Sequence, residues 1–225
     1  MTNPLDAEAI VGYKFVHQLS LPEPTSTGFE YLVAQNGIFA RAIRPGIEVV
    51  MPISQHEQSL KGLARVEPSI QVVPLVPEEL LIQIWRSSCQ AWADPNHLLE
   101  MLFHLLWVDG RWRLVIPEQT QTGTSCQPVE TDSHSSAHQA TIEIHSHGGM
   151  RACFSDQDNR DESFGFRIFG VLGKVRSIRP EILMRVGLFG HCWNIPTAQV
   201  FQLSSDGFMH DLTLHQSSYY YANYR

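Results

Sequence analysis

Apolar and polar positions alternate over short runs in the first third of the chain. In FEYLVAQNGIFARAIRPGIEVVMPI, residues 29–53, runs rich in Val, Ile, Phe and Tyr are broken by Asn36-Gly37 and Pro45-Gly46. Asn-Gly suits the positive backbone angles of a tight hairpin turn, and Pro-Gly marks a second turn. The pattern predicts a small β-meander, continuing through GLARVEPSIQVVPLV. Residues 1–27 end in the turn-rich LPEPTSTG and read as a loosely held start.

The period changes at Pro77. VPEELLIQIWRSSCQAWA opens with Pro and two glutamates and then places Leu80, Leu81, Ile84 and Trp85 at helical spacing. Asp109-Gly110, between MLFHLLWV and RWRLVI, predicts a hairpin. Residues 119–140, QTQTGTSCQPVETDSHSSAHQA, are poor in large apolar residues and read as a mobile loop. ATIEI, SFGFRIFGVLGKV and EILMRVGLFGHCW read as strands. The aromatic tail SSYYYANYR is expected to pack on the domain. A β-rich module over residues 1–76 and a mixed α+β domain over 77–225 follow from this pattern.

Composition narrows the function classes. The chain has 225 residues, 43% of them hydrophobic and 17% charged, which is ordinary for a globular protein. A net charge of -7 with lysine only at 14, 61 and 174 argues against direct nucleic-acid binding. The start lacks the basic flank and long apolar core of a secretory signal, and LLEMLFHLLWV is too short to span a bilayer. Four scattered cysteines without a CxxC pair read as reduced thiols. The expectation is a cytoplasmic protein with no membrane contact.

Candidate chemistry concentrates in EIHSHGGMRACFSDQD, residues 143–158. If the strand TIEIHSH continues, Glu143, His145 and His147 share one face while Ile142 and Ile144 point into the core. Two imidazoles one strand repeat apart can converge on one ion. Asp158 is far enough beyond for the chain to loop back with a third, anionic ligand. Two nitrogens and one carboxylate suit Zn2+, and three protein ligands leave the open position of a catalytic site. Such a site also needs an acid/base that does not bind metal and a donor for the oxyanion, for which Ser155 is placed. Cys153 reads as a small buried residue, and His134 and His138 as loop residues.

The spacing His145-x-His147-x7-Ser155-x2-Asp158 resembles the signature of JAB/MPN domains carrying a JAMM metal site, a family of zinc peptidases and isopeptidases acting on ubiquitin-like proteins. The resemblance covers about residues 77–200. It implies a JAB/MPN-type mixed β-sheet packed by helices, one Zn2+ per chain on His145, His147 and Asp158, and Ser155 as oxyanion donor. HLLEMLFHLLWVDGRW resembles the segment where the family carries its glutamate, which implies Glu100, at the end of the first helix, as general acid/base. Glu30 and Glu118 are weaker candidates. Many members have Pro after the second histidine; here Gly148-Gly149 stands instead, which implies a more flexible loop.

YLVAQNGIFARA, PEQ and HSHGGMRACFSDQDNRDE followed by FRIFGVLGKV also resemble the protein A family of the PRTRC (ParB-related, ThiF-related cassette) system. That likeness implies a ThiF-like adenylating enzyme as partner and a ubiquitin-like protein or peptide as substrate. The alternative expectation is a non-catalytic, zinc-bearing scaffold of such a cassette.

Overall fold

A computed structural model describes residues 11–24, 28–92, 98–204 and 208–215. The chain is mixed α/β, built mostly of strands with few helices, and divides into two compact units after Gln71. The expected aromatic tail lies outside the described residues.

In the first unit, β1 (Val11–Phe15), β2 (Phe29–Ala34), β3 (Gly37–Arg44), β4 (Ile47–Gln55) and β5 (Ser69–Val72) form one sheet in chain order. The start is not loose where it is described: β1 pairs in parallel with β2, and Val16 is buried with Leu32, Phe39 and Val50. The β2–β3 turn departs from expectation. Its two residues are Gln35-Asn36, and neither Asn36 nor Gly37 has positive φ. Gly37 instead opens β3 where a Cβ would lie 2.2 Å from Ser54 O, so close approach of β4 demands glycine there. The Asn36 amide pairs with both the N–H and the C=O of Val66.

The second unit begins with β6 (Val76–Pro77) and α1 (Glu78–Ala91). The boundary falls before 76 because β6 pairs with β15 (Phe201–Gln202), far along the chain. The predicted periodicity of α1 turns Leu81, Ile84 and Ser88 inward. β7 (Leu102–Val108) and β8 (Arg111–Val115) make the expected hairpin, with Asp109 and Gly110 at φ 50° and 74°.

Residues 119–140 are not a structureless loop. They hold a hairpin of β9 (Gln119–Gln121) and β10 (Cys126–Pro128), then a short helix α2 (Ser136–Gln139) capped by the Ser135 side chain. Polar side chains hid these elements because they bond the neighbouring backbone rather than bury apolar surface.

β11 (Ile142–Ser146) leads through α3 (Asp156–Asp161) to β12 (Phe166–Gly173), followed by β13 (Glu181–Leu188), β14 (His191–Ile195) and β16 (His210–Asp211). The main sheet runs β14-β13-β12-β11-β7-β8, with β16 joined to β13. β11 and β12 are parallel and the other pairs on the main path antiparallel. A parallel pair requires a crossover of a dozen or more residues, and this one, residues 147–165, carries α3 back to the end of β11. Phe103, Leu105, Ile142, Ile144, Ile168, Leu172 and Ile182 are fully buried around it.

Candidate metal centre

The alternation of β11 decides which side chains reach the site. Ile142, Ile144 and Ser146 are buried in the sheet, while Glu143 and His145 project to the other face. His147 follows at the strand end, its N–H bonded to Leu172 O and its Nδ1 3.4 Å from Arg151 O. A proton on Nδ1 shared with that carbonyl leaves Nε2 with its lone pair outward.

His145 Nε2 lies 3.0 Å from His147 Nε2 and 3.4 Å from Asp158 Oδ1. One ligand atom from each of the three residues falls within 4.8 Å of the others, so the structure brings together all three sequence-predicted ligands. Metal–ligand distances of about 2.0–2.1 Å in a tetrahedron give ligand–ligand edges of roughly 3.3 Å. The observed edges and the two-nitrogen, one-oxygen donor set fit a zinc ion.

Electrostatics favour the same state. Burial pushes the pKa of His145 down to about 4, against the pull of Asp158, with His147 and Arg185 adding to the fall. Burial also lowers His147. Asp158 is pushed up by burial, but His145, the N–H and hydroxyl of Ser155, and His147 outweigh this and hold its carboxyl below the ordinary range. All three groups are therefore in their metal-binding protonation states at neutral pH.

Asp158 owes its position to Ser155. Asp158 Oδ2 accepts the Ser155 N–H at 2.6 Å, and Ser155 Oγ accepts the Asp158 N–H at 3.2 Å, forming the capping box that starts α3. This bond uses an oxygen lone pair of Ser155 and not its proton. From below, buried Arg185 donates to Glu162 Oε2 at 2.6 Å and to Asn159 Oδ1 at 2.7 Å, and sits 3.7 Å from the Phe154 ring centre. Arg185, read in the sequence only as part of a strand, thus anchors the helix that presents Asp158.

Glu100 is not on a helix. α1 ends at Ala91, and Glu100 lies in an irregular segment two residues before β7. It is buried, and it lines one cleft of about 340 Å³ with His145, His147, Ser155 and Asp158. Burial, reinforced by the Asp158 charge, raises its pKa to about 7. The other candidates lie elsewhere: Glu30 is paired with Arg41 in the first unit, and Glu118 is exposed beyond β8.

Glu143 does not bond the ligand histidines. Its Oε2 accepts from Arg167 at 2.7 Å and lies 3.6 Å from His104 Nε2. Cys153 is exposed, not buried, with Sγ 3.9 Å from His147 Nδ1 at the cleft edge. Gly148-Gly149 is closely packed: a Cβ on Gly148, at φ 53°, would lie 1.6 Å from Trp92 Cε2, so the indole leaves no room for a side chain at this turn. Cys126 and Gln127 of β10 complete the cleft wall.

No protein-family model matches the chain, and no curated protein matches it.

Proposed function

We propose that this chain is a JAB/MPN-type zinc peptidase or isopeptidase that hydrolyses an amide bond near the tail of a ubiquitin-like protein or similar polypeptide. The observation that carries the reading is the convergence of His145, His147 and Asp158 in one cleft with a buried Glu100.

His145, His147 and Asp158 would hold the zinc, which when bound supplies Lewis acidity toward a carbonyl and toward an attacking water. Glu100 is suited to move the proton. Buried in the cleft that the three ligands line, its carboxylate is placed to accept the proton from water and return it to the departing amine. The Ser155 hydroxyl, whose proton faces the Asp158 carboxylate in the resting site, would turn to donate to the oxygen that gains charge as the amide carbon becomes tetrahedral. The parallel β11–β12 pair, the crossover between them and the histidine spacing support a JAB/MPN arrangement of this domain.

The resemblance to the PRTRC protein A family adds a cytoplasmic setting and a ThiF-like adenylating partner, with the chain trimming or removing a small modifier. Among the described residues no helix is long and apolar enough to cross a membrane.

The test is Glu100→Gln. The variant should retain zinc at the wild-type level and lose turnover of a ubiquitin-like fusion by at least a hundredfold. Wild-type turnover in the variant would exclude Glu100 as the acid/base.

A further inference from the structure

With Glu100 off any helix, something else must fix its position, and the polar segment read as a loop supplies it. Gln119 and Gln121 are one strand repeat apart on β9 and point the same way. The Gln119 amide accepts the N–H of Leu102 at 2.7 Å and donates to Leu102 O at 3.1 Å. The Gln121 amide donates to Glu100 O at 2.7 Å, and the Glu100 N–H reaches Thr122 O at 2.9 Å.

The register explains why amides are needed. β8 last pairs with β7 at His104–Val115 and then breaks at Pro117, so among the described residues no main-sheet strand continues beside residues 100 and 102, and the β9 hairpin meets that edge instead. Glutamine side chains complete that ladder. The opposite edge is held by the serine between the two histidines: fully buried Ser146 accepts the Met101 N–H on its Oγ at 3.0 Å, and its own N–H donates to Met101 O at 2.9 Å.

We propose that Gln121 and Ser146 are positioning residues that clamp Glu100 from both edges against the strand carrying His145 and His147. Neither residue lies among the candidate ligands. Gln121 acts through the Glu100 backbone, and Ser146 through the adjacent peptide. The role rests on the amide-hydrolysis reading, because it matters only if Glu100 transfers a proton. Displacement of a proton-transfer group by a fraction of an ångström lowers turnover without changing how much substrate binds.

The experiment compares Gln121→Leu, Ser146→Ala and a control, Thr120→Ala, in the full-length zinc-loaded protein. Thr120 is exposed on the same hairpin, with its hydroxyl donating across it to Gln127 O at 3.4 Å. The probe is the best-cleaved member of a degenerate internally quenched peptide library. Gln121→Leu and Ser146→Ala should lower kcat about tenfold or more, with KM and zinc content unchanged and Thr120→Ala at wild-type kcat. Should buried Ser146→Ala fail to fold, half-buried Gln121→Leu decides alone. Wild-type kcat in Gln121→Leu, an effect confined to KM, or an equal loss in Thr120→Ala overturns the clamp and leaves the hydrolase reading standing. A zinc-loaded wild type that cleaves no library member overturns both.

Discussion

Ser155 and Asp158 hold each other: the acid receives the serine N–H at 2.6 Å while the serine hydroxyl oxygen receives the acid's N–H at 3.2 Å. The same three-residue spacing therefore starts α3 and aims Oδ1 of Asp158 at His145, 3.4 Å away. One local motif builds the helix end and the third ligand together.

Replacing Ser155 separates its two roles. Glycine serves nearly as well as serine at a helix N-cap, whereas alanine costs about 1 kcal/mol. Ser155→Gly should thus keep stability within a few tenths of a kcal/mol and Ser155→Ala should lose about 1 kcal/mol in chemical denaturation. Both should lose turnover by about a hundredfold if the hydroxyl donates to the oxyanion. Full turnover in Ser155→Gly would leave the serine only its capping role.

Metal-free protein should carry a pH signature of Glu100. Its folded pKa, about 7, lies above the ordinary value of 4.5, so the folded state binds the extra proton between those two values. Stability is fully present below pH 4.5, falls as pH rises through that window and is level above it. Glu100→Gln removes this loss. Metal-free melts should show the variant more stable than wild type at pH 8 and the gap closing at pH 5.

Arg185 should matter to zinc without touching it. Arg185→Met leaves Glu162 buried and unpaired and should cost about 3–5 kcal/mol. Loosening of α3 should also weaken zinc binding, by roughly 10–100-fold. Combining Arg185→Met with Glu162→Leu should recover most of the stability, because no uncompensated charge remains, but not the metal affinity. Competition with a chromophoric chelator reads the second quantity.

The turn after His147 is built around Trp92. Gly148→Ala puts a methyl into the indole and a side chain at φ 53°, and should destabilise by more than 1 kcal/mol. Adding Trp92→Ala removes the clash and should return part of that loss, with about 1 kcal/mol of backbone strain remaining. Thermal melts of both variants provide the check.

Much of this was legible in the residues, for a physical reason. Alternation in residues 142–147 places Glu143 and His145 opposite Ile142 and Ile144, and hydrophobic burial enforces that register. The Asp109-Gly110 turn and the periodicity of α1 were equally plain, since one depends on φ and the other on a buried stripe. Elements held by polar bonds were not. β9, β10 and α2 bury little, so their sequence looked like a loop, and the amide pairing of Gln119 and Gln121 depends on where β8 stops. Glycine carried a second meaning twice: Gly37 suggested a turn residue and Gly148-Gly149 a more flexible loop, and both sites also mark close approach of another chain segment. Arg185 carried no signal because its partner Glu162, at the C-cap of α3, is 23 positions away in the chain and meets it only in the fold.

The most direct test of the account is metal content by elemental analysis of protein purified without added metal, beside Asp158→Ala. About one zinc per chain in the wild type, lost in the variant, is the predicted result for a site with His145, His147 and Asp158 as its donors. Wild-type protein that stays metal-free after zinc is offered would contradict it.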